Sequence, residues 1–341
     1  MSAPLTVRTS VAPHVLEREF RVSHATTSDV QLLRLTLSDL AGGPEGVGEI
    51  SADSSYGQDA PTIEREARRL AESIAADPRH GEVTALEQLL GDHGAAFCGP
   101  ARMLAEMAFL DRIAQLAGCP VWHVLGLPQP GRVQLLHTVP IGEDVSVPVR
   151  PLKAKLGGGT DADILAQLIG SPGPILLDVN EGWDRAGWGR VEDLVRKLAP
   201  AVLEDPTSDT GLLQEIRAAL PETRVVLDES VQDHAHVVRA AELADGANLK
   251  VMRMGGLFPA MRSLAYLRER GLTRMIGSFL EPARAVAYAA QLNGLADWTD
   301  LDGHFWITDT PPVMHYRLDS SRPGVPVIAY DALRGGTDVE G

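Results

Sequence analysis

The sequence predicts an α/β protein in which a parallel barrel of the TIM type follows an α+β segment. The first observation is that short apolar runs alternate with amphipathic helical patterns from residue 133 onward, which is typical of a parallel sheet. The second is that these runs are apolar nearly throughout, as expected of strands covered on both faces. The third is their number, because eight strands in succession favour a closed barrel over an open, doubly wound sheet.

The first predicted barrel strand lies at 133–139. The candidate eighth strand lies in "DWTDLDG" at 297–303. In chain order the first seven runs are VQLLHTV, PLKAK, PILLDVN, AVLEDP, RVVLDES, GANLKV and TRMIGS. Parallel strands of a barrel all end at one rim, so the polar residues that close these runs are expected to meet in space.

The first 132 residues follow a different pattern, that of a hairpin and three helices. "LEREFRVS" and "VQLLRLTLSD" alternate apolar and polar residues, which favours an antiparallel hairpin with "HATTSD" as its exposed loop. "PTIEREARRLAESIAAD" predicts a helix with Pro61 near its start, and "TALEQLLGDHG" predicts a second. "GPARMLAEMAFLDRIAQLAG" predicts a third helix, for which Gly118 is the expected C-cap.

The composition excludes several classes of partner. The formal net charge is −15 and no long basic run occurs, so we expect no nucleic-acid partner. No apolar run reaches the roughly 18 residues of a membrane span, and the N-terminus lacks the features of a signal peptide. Cys98 and Cys119 form neither a C-x-x-C motif nor a disulfide framework, which favours a cytoplasmic protein.

Three acids stand where three consecutive predicted strands end: Asp178, Glu204 and Asp228. Asp178 and Asn180 form a D-x-N, which on its own indicates a turn more often than a site. The spacing argues for a site, because intervals of 26 and 24 residues each equal one strand–helix unit. Three unpaired carboxylates at one rim would repel one another, and a divalent cation relieves this repulsion. Oxygen ligands favour Mg²⁺, with Mn²⁺ as an alternative.

Lysines flank the three acids, with Lys153 and Lys155 one strand before them and Lys250 one strand after. A barrel would place these amines on opposite faces of a substrate bound at the acids. The arrangement fits removal of a proton next to a carboxylate whose developing charge a metal neutralises. Two ammonium groups on one strand face disfavour each other's charge, which helps to produce a neutral base. We therefore predict Lys155 and Lys250 as opposed bases, with Lys153 tuning Lys155 and contacting the substrate carboxylate.

The motifs "KAK", "DVN", "LEDP", "LDES" and "LKVMRMGG", taken in this order, resemble the muconate-lactonising branch of the enolase superfamily. The resemblance covers the whole chain and implies a modified (β/α)7β TIM-type barrel at 133–312. It also implies an α+β capping domain at 1–132, which the C-terminal segment 313–341 joins. In that family, the positions that match Asp178, Glu204 and Asp228 bind Mg²⁺, and those that match Lys155 and Lys250 exchange the substrate's α-proton.

Within this branch, "DLDG" resembles the D-x-D by which dipeptide epimerases hold the α-ammonium of the substrate, and Asp300 and Asp302 match it. Two carboxylates on one face suit a cationic amine, so the resemblance implies a small-molecule dipeptide substrate. Sugar-acid dehydratases of the wider superfamily usually need a His at the seventh strand, and "RMIGSFLEPAR" has none. Further candidate substrate contacts are His24, Thr138, Asn180 and Ser278.

Two departures from the family pattern are visible. Many Ala-Glu epimerases carry an Arg in the capping loop where this sequence has His24. The segment "PIGEDVSVPVR" at 140–150 is short and contains prolines and β-branched valines, so we predict that the first barrel helix is missing or shortened. The exposed flank would need a cover such as another subunit, and relatives commonly form dimers or octamers, so we expect a homo-oligomer.

Two other functions stay open at this point. A cycloisomerase or an o-succinylbenzoate-synthase-like dehydratase of the same branch would use the same acids and lysines, but would have no ammonium to bind. A catalytically silent binding barrel is the alternative outside enzymology. Finally, Gly255 and Gly256 after Lys250 form either a plain turn or, as we predict, a close approach of the backbone to the substrate.

Overall fold

The computed structural model describes residues 5–23, 25–39, 42–54, 57–130, 133–134, 136–147, 151–307, 315–318 and 326–329. An antiparallel sheet with helices comes first along the chain, and an eight-stranded parallel sheet with helices follows. None of the helices in these ranges is long and apolar enough to cross a membrane.

The described residues of the N-terminal part form three strands and four α-helices. They are β1 (Leu5–Arg21), β2 (Thr26–Asp39), β3 (Gly46–Ala52), α1 (Ala60–Ala75), α2 (Val83–Gly94), α3 (Gly99–Ala117) and α4 (Val121–Val124). The strands pair antiparallel in the order β1-β2-β3, which confirms the predicted hairpin. Its turn differs from the predicted loop "HATTSD", because the amide of Val22 donates to the carbonyl of Ala25 at 3.0 Å and β2 already begins at Thr26.

The three predicted helices of this part are confirmed, and their ends follow from particular residues. Asp59 caps α1 by accepting from the amide of Thr62, and proline occupies the first turn. Gly118 ends α3 with a φ of 65°. Glycine also brings α3 close to β3, since a β-carbon at Gly48 would lie 2.2 Å from the carbonyl oxygen of Leu104.

The rest of the chain alternates strands and helices and ends in two further strands. In chain order these are β4 (Val133–Gln134), β5 (His137–Val139), β6 (Leu152–Lys155), α5 (Asp161–Leu168), β7 (Ile175–Asp178), α6 (Arg185–Leu198), β8 (Val202–Glu204), α7 (Thr210–Ala219), β9 (Arg224–Leu227), α8 (His234–Leu243), β10 (Gly246–Lys250), α9 (Val251–Met254), α10 (Leu257–Glu269), β11 (Thr273–Gly277), α11 (Ala283–Ala289), β12 (Trp298–Asp300), β13 (His315–Leu318) and β14 (Pro326–Ala329). Short 3₁₀ helices span Ala290–Leu295 and Gly303–Trp306. The strand β14 pairs with β13 and with β4.

The strands β5 to β12 form one parallel sheet in sequential order, which confirms the predicted eight-stranded barrel. The amide of Leu136 donates to the carbonyl of Thr299 at 3.1 Å and joins the two edges of this sheet. An apolar layer crosses the barrel, and its buried members are Leu136, Leu176, Val202, Val226 and Met275. Since side chains two apart on a strand share a face, residues 178, 204 and 228 lie directly above this layer.

The described residues between β5 and β6, at 140–147 and 151, contain no helix, as the short first unit predicted. The chain's own hairpin contacts this region. The amide of Ile141 donates to the carbonyl of Arg21 at 3.3 Å, and Arg18 forms an ion pair of 2.8 Å with Glu143. The strand β1 therefore covers part of this flank, and a further cover by another subunit stays a prediction.

Glu106 of α3 joins the N-terminal part to the barrel. Its side chain is buried and accepts hydrogen bonds from the amide of Leu257, at the start of α10, and from the hydroxyl of Tyr288 at 2.8 Å. A β-carbon at Gly256, whose φ is 122°, would lie 2.4 Å from this carboxylate. A β-carbon at Gly255 would lie 2.3 Å from the guanidinium of Arg102. Side chains of α3 occupy the space that a β-carbon would take, so packing against α3 requires these glycines, and the predicted approach of their backbone to a substrate stays a prediction.

The burial of Glu106 generates a prediction about stability. Burial raises the pKa of this carboxyl from 4.5 to about 7, although hydrogen bonds from Tyr288 and Leu257 oppose the shift. Because the folded pKa lies above the unfolded one, the contribution to stability is present below pH 4.5 and is lost as the pH rises through about 7. Between pH 6 and pH 8, we expect the wild type to lose about 1 kcal/mol of unfolding free energy relative to Glu106→Gln.

Urea denaturation of both proteins at the two pH values measures this difference. Glu222→Gln, at an exposed glutamate, controls for the removal of one negative charge. A difference between wild type and Glu106→Gln that stays constant from pH 6 to pH 8 would contradict the prediction.

Candidate active site

The acids Asp178, Glu204 and Asp228 lie side by side at the carboxyl ends of β7, β8 and β9. Asp178 is in register with Glu204, and Glu204 is in register with Val226, two residues before Asp228. All three side chains are buried, with exposed fractions of 0%, 0% and 1%. The structure therefore brings together the three residues whose spacing predicted a common rim.

Lys153 lies among these acids. Its Nζ is 2.8 Å from Asp178 Oδ2, 2.7 Å from Glu204 Oε2 and 2.6 Å from Asp300 Oδ2. Burial lowers the pKa of Lys153, but the charges of Asp178, Asp300 and Glu204 outweigh it and raise the pKa well above its ordinary value. Lys153 is thus a fixed cation of the acidic cluster.

Lys155 lies on the same face of β6 as Lys153 and contacts the end of β7. Its Nζ is 2.5 Å from Asp178 Oδ2 and donates to Asn180 Oδ1 at 3.2 Å. Asn180 is in the left-handed region with a φ of 46°, and its carbonyl accepts from the hydroxyl of Ser23 at 2.9 Å. This contact connects the strand end of β7 to the turn between β1 and β2.

Lys250 ends β10, which is four strands from β6 in the eight-stranded barrel and therefore faces it. Its Nζ is 2.5 Å from Asp228 Oδ2 and 4.7 Å from the ring centroid of Phe279. Arg253 approaches the same pair, with Nη1 3.0 Å from Asp228 Oδ1 and Cζ 5.0 Å from the Phe279 centroid. The acids thus lie between Lys155 on one side and Lys250 on the other.

The predicted D-x-D at the end of β12 is buried in the same pocket. Asp302 accepts hydrogen bonds from the amide of Thr138 at 2.7 Å and from its hydroxyl at 3.2 Å. Burial and the neighbouring Asp300 raise the pKa of Asp302 to about 7. The amide of Ser278 donates to the carbonyl of Asp300 at 3.0 Å. His24, the remaining predicted contact, lies outside the described residues.

One pocket brings together the three lysines and the two acids of the D-x-D. Its lining residues are Phe20, Thr138, Lys153, Lys155, Lys250, Ser278, Phe279, Leu280, Asp300, Asp302, Gly303 and Trp306. Phe20 comes from β1 and the rest come from the barrel, so the pocket lies between the two parts of the chain.

Sequence reasoning missed two residues that position the acids. Asn248, fully buried, donates from Nδ2 to Glu204 Oε1 at 2.9 Å. Its place two residues before Lys250, on the same strand face, was the available signal. Asp205 accepts from the amides of Asp228 and Glu229 at 2.9 and 2.6 Å. Among the described residues, carboxylate oxygens of Asp205, Asp228 and Glu229 come within 4.8 Å of one another.

The acids supply oxygen donors of the kind that a divalent cation binds, although only Asp228 of the three belongs to the trio of carboxylates that lie within 4.8 Å of one another. Glu204 Oε2 is buried and accepts no hydrogen bond of suitable geometry, although Lys153 Nζ lies 2.7 Å away as an ion-pair partner. Burial and then the charge of Asp178 raise the pKa of Glu204 to about 8, although the charge of Lys153 opposes the shift. Carboxylate oxygens without full compensation are the donors that hard cations such as Mg²⁺ prefer.

Comparison with known proteins places this chain among barrel enzymes. Residues 149–324 match the model of the "Enolase C-terminal domain-like" family. An L-Ala-D/L-amino acid epimerase of Pedosphaera parvula is 26% identical over 309 residues, covering 85% of this chain and 86% of that protein. A hydrophobic dipeptide epimerase of Roseobacter litoralis is 31% identical over 247 residues, covering 64% and 69%.

Solved structures show the same fold. A dipeptide epimerase from Cytophaga hutchinsonii, complexed with Mg and the dipeptide D-Ala-L-Val, has a TM-score of 0.80 at 19% identity and covers 100% of this chain and 97% of its own. A muconate lactonizing enzyme from Pseudomonas fluorescens, complexed with muconolactone, has a TM-score of 0.77 at 20% identity and covers 96% and 97%. At these identities the likeness concerns the fold alone.

The contacts of Lys153 generate a prediction. Lys153→Met removes the cation that three buried carboxylates share, so we expect the unfolding free energy to fall by about 3 kcal/mol or more. Chemical denaturation in the presence of a chelator measures the loss. Lys197→Met, at an exposed lysine of α6, is the matched control and should change stability little. A loss at Lys153 no greater than that of the control would show that the carboxylates do not depend on this amine.

Proposed function

The chain belongs to the enolase C-terminal domain-like family of the enolase superfamily, and on that premise we propose that it is a dipeptide epimerase. The proposal is that it inverts the α-carbon next to the free carboxylate of its substrate. The observation that carries it is the opposition of Lys155 and Lys250 across the acids. The names of the relatives, several of them dipeptide epimerases, support the same activity.

Asp178, Glu204 and Asp228 would hold the metal ion, which we propose to be Mg²⁺ with Mn²⁺ as a substitute. The neighbour from Cytophaga hutchinsonii, solved with Mg and a dipeptide, supports this choice. The chemistry such an ion supplies is neutralisation of charge on the carboxylate oxygens of the substrate. Asn248 and Asp205 would orient the metal ligands by hydrogen bonds to Glu204 and to the backbone of Asp228, as residues that contact the ligands do in metal sites.

Lys155 and Lys250 would exchange the α-proton between them. For inversion, an unprotonated amine accepts the proton on one face, and a protonated amine returns a proton on the other. Each amine is 8% exposed or less and lines the pocket, so both are within reach of a bound substrate and shielded from bulk water. Lys153, fixed among the carboxylates, would hold the charge of the site constant while protons move.

Asp300 and Asp302 would bind the α-ammonium of the substrate. Both are buried on one side of the pocket, and Asp302 is held in place by the amide and hydroxyl of Thr138. The two carboxylates carry two negative charges and Lys153 balances one of them, so the ammonium group of a substrate would balance the other. The substrate of a cycloisomerase or of an o-succinylbenzoate-synthase-like dehydratase would bring no such cation, and a silent barrel would need no opposed bases.

The homo-oligomeric state, the cytoplasmic location and the domain boundaries at 132 and 312 stay predictions.

Proton exchange tests the two-base chemistry. Incubation of pooled L,L-dipeptides with protein and Mg²⁺ in D₂O should remove the Cα–H signal from the proton NMR spectrum and produce L,D diastereomers. Lys155→Ala and Lys250→Ala should each lower the rate of epimerisation by about 10³-fold, since each removes a general acid or base. Lys197→Ala is the exposed control. No exchange anywhere in the pool, with metal bound, would overturn the proposed activity.

The acids of the D-x-D separate this proposal from the related enzymes. Asp302→Asn removes a negative charge that would pair with the ammonium group. Because a buried ion pair is lost, we expect kcat/KM for dipeptides to fall by about 10²-fold. Asp193→Asn, at an exposed acid of α6, is the matched control. Full activity of Asp302→Asn would remove the support for a substrate with an ammonium group.

A further inference from the structure

An apolar wall begins directly after the D-x-D. The 3₁₀ helix Gly303–Trp306 follows Asp302, and Trp306 lines the same pocket while its side chain is 2% exposed. The ring of Phe20 meets the indole edge-to-face, with the centroids 5.0 Å apart. Leu280 is buried and belongs to the same apolar cluster as Trp306. Residues of β1 and of the barrel together form this wall.

The charged residues that line the pocket are paired within the protein or are assigned to the α-ammonium of the substrate. Lys153, Lys155 and Lys250 are each paired with an acid, and Asp300 is paired with Lys153. Asp302 is bound by Thr138. The other lining residues among those described are uncharged, namely Phe20, Thr138, Ser278, Phe279, Leu280, Gly303 and Trp306. A charged substrate side chain beside the D-x-D would find no counter-charge among them.

We infer that this site selects substrates whose ammonium-bearing carbon carries an apolar side chain, which packs against Trp306 with Phe20 and Leu280. The inference rests on the proposed function, because the ammonium bound by Asp300 and Asp302 fixes the position of that carbon. A side chain attached there lies within a few bonds of both carboxylates. Trp306, four residues after Asp302, therefore places the apolar wall next to that side chain of the substrate.

The indole N–H of Trp306 is a second, independent observation. The nitrogen Nε1 is buried and has no hydrogen-bond acceptor among the described residues. Buried donors without an acceptor are uncommon and unfavourable, so a substrate oxygen that accepts this hydrogen bond would strengthen binding. A dipeptide offers its peptide carbonyl close to the ammonium group, and the N–H of Trp306 suits that acceptor.

Arg18 packs on the indole of Trp306 and is not among the residues that line the pocket. Its Cζ is 5.1 Å from the ring centroid of Trp306, and its guanidinium pairs with Glu143. The side chain is about half exposed. Arg18→Gln therefore changes a contact of Trp306 without changing the apolar wall, which makes it a matched control.

The test compares five dipeptides that differ only in the first residue: L-Leu-L-Ala, L-Phe-L-Ala, L-Ala-L-Ala, L-Asp-L-Ala and L-Lys-L-Ala. Exchange rates at concentrations below KM, measured by proton NMR in D₂O with Mg²⁺, give the relative kcat/KM. We expect the Leu and Phe substrates to exceed the Asp and Lys substrates by about 100-fold, because a charged side chain would be buried without a partner. We expect Leu to exceed Ala by about 10-fold.

Variants of Trp306 separate the wall from the N–H. Trp306→Ala should lower kcat/KM for L-Leu-L-Ala by about 30-fold and for L-Ala-L-Ala by only about 3-fold, because less apolar surface is lost. Trp306→Phe should keep the preference for Leu over Asp while lowering kcat/KM for every substrate, since it removes the N–H and part of the ring but keeps an aromatic side chain in the wall. Arg18→Gln should keep the preference unchanged.

Similar rates for the Leu and Asp substrates would overturn the inference and leave the proposed function intact. So would a substrate profile that Trp306→Ala, folded by circular dichroism, does not alter. Absence of exchange with all five dipeptides would overturn the proposed function and this inference together. Should Trp306→Ala fail to fold, the wild-type profile and Trp306→Phe decide the question.

Discussion

The structure depends on one electrostatic constraint, the excess of buried carboxylates above the apolar layer of the barrel. Leu176, Val202 and Val226 fill that layer, and the acids two residues further along the same strands cannot turn away from it. Carboxylates held at this depth are stable only beside cations. Lys153 lies among them, Lys155 and Lys250 close the two sides, and the proposed divalent ion would balance the negative charge that remains.

The same constraint explains why a second layer of the chain is needed. A charged pocket at the open end of a barrel must be kept from bulk water if its ion pairs are to remain strong. The hairpin of β1 and β2 supplies this cover through Phe20 and Ser23, and α3 anchors the opposite side through Glu106 at the start of α10. Because Phe20 packs on Trp306, the contact that covers the site also shapes the wall that faces the substrate.

Much of this could be predicted from the sequence, because it depends on local regularities. Strand periodicity and one acid per strand–helix unit place Asp178, Glu204 and Asp228 at one rim without any knowledge of distant contacts. The missed features depend on distant contacts. The need for Gly255 and Gly256 comes from Arg102 and Glu106, roughly 150 residues away in the chain, and the wall of Trp306 forms only when β1 folds over the barrel. The sequence next to each of these residues predicts neither the packing of the two glycines against α3 nor the contact of Trp306 with Phe20.

The two lysines of β6 show what geometry adds to a pattern. The K-x-K spacing puts both amines on one strand face and does not distinguish them. In the folded chain, Nζ of Lys153 lies within 2.8 Å of three carboxylate oxygens, while Nζ of Lys155 contacts Asp178 and the side-chain amide oxygen of Asn180. An amine held on three sides cannot move toward a substrate carbon without abandoning several buried charges. Lys155 is 8% exposed against 2% for Lys153, so it lies nearer the edge of the cluster, which supports Lys155 as the base and Lys153 as the fixed cation beside it.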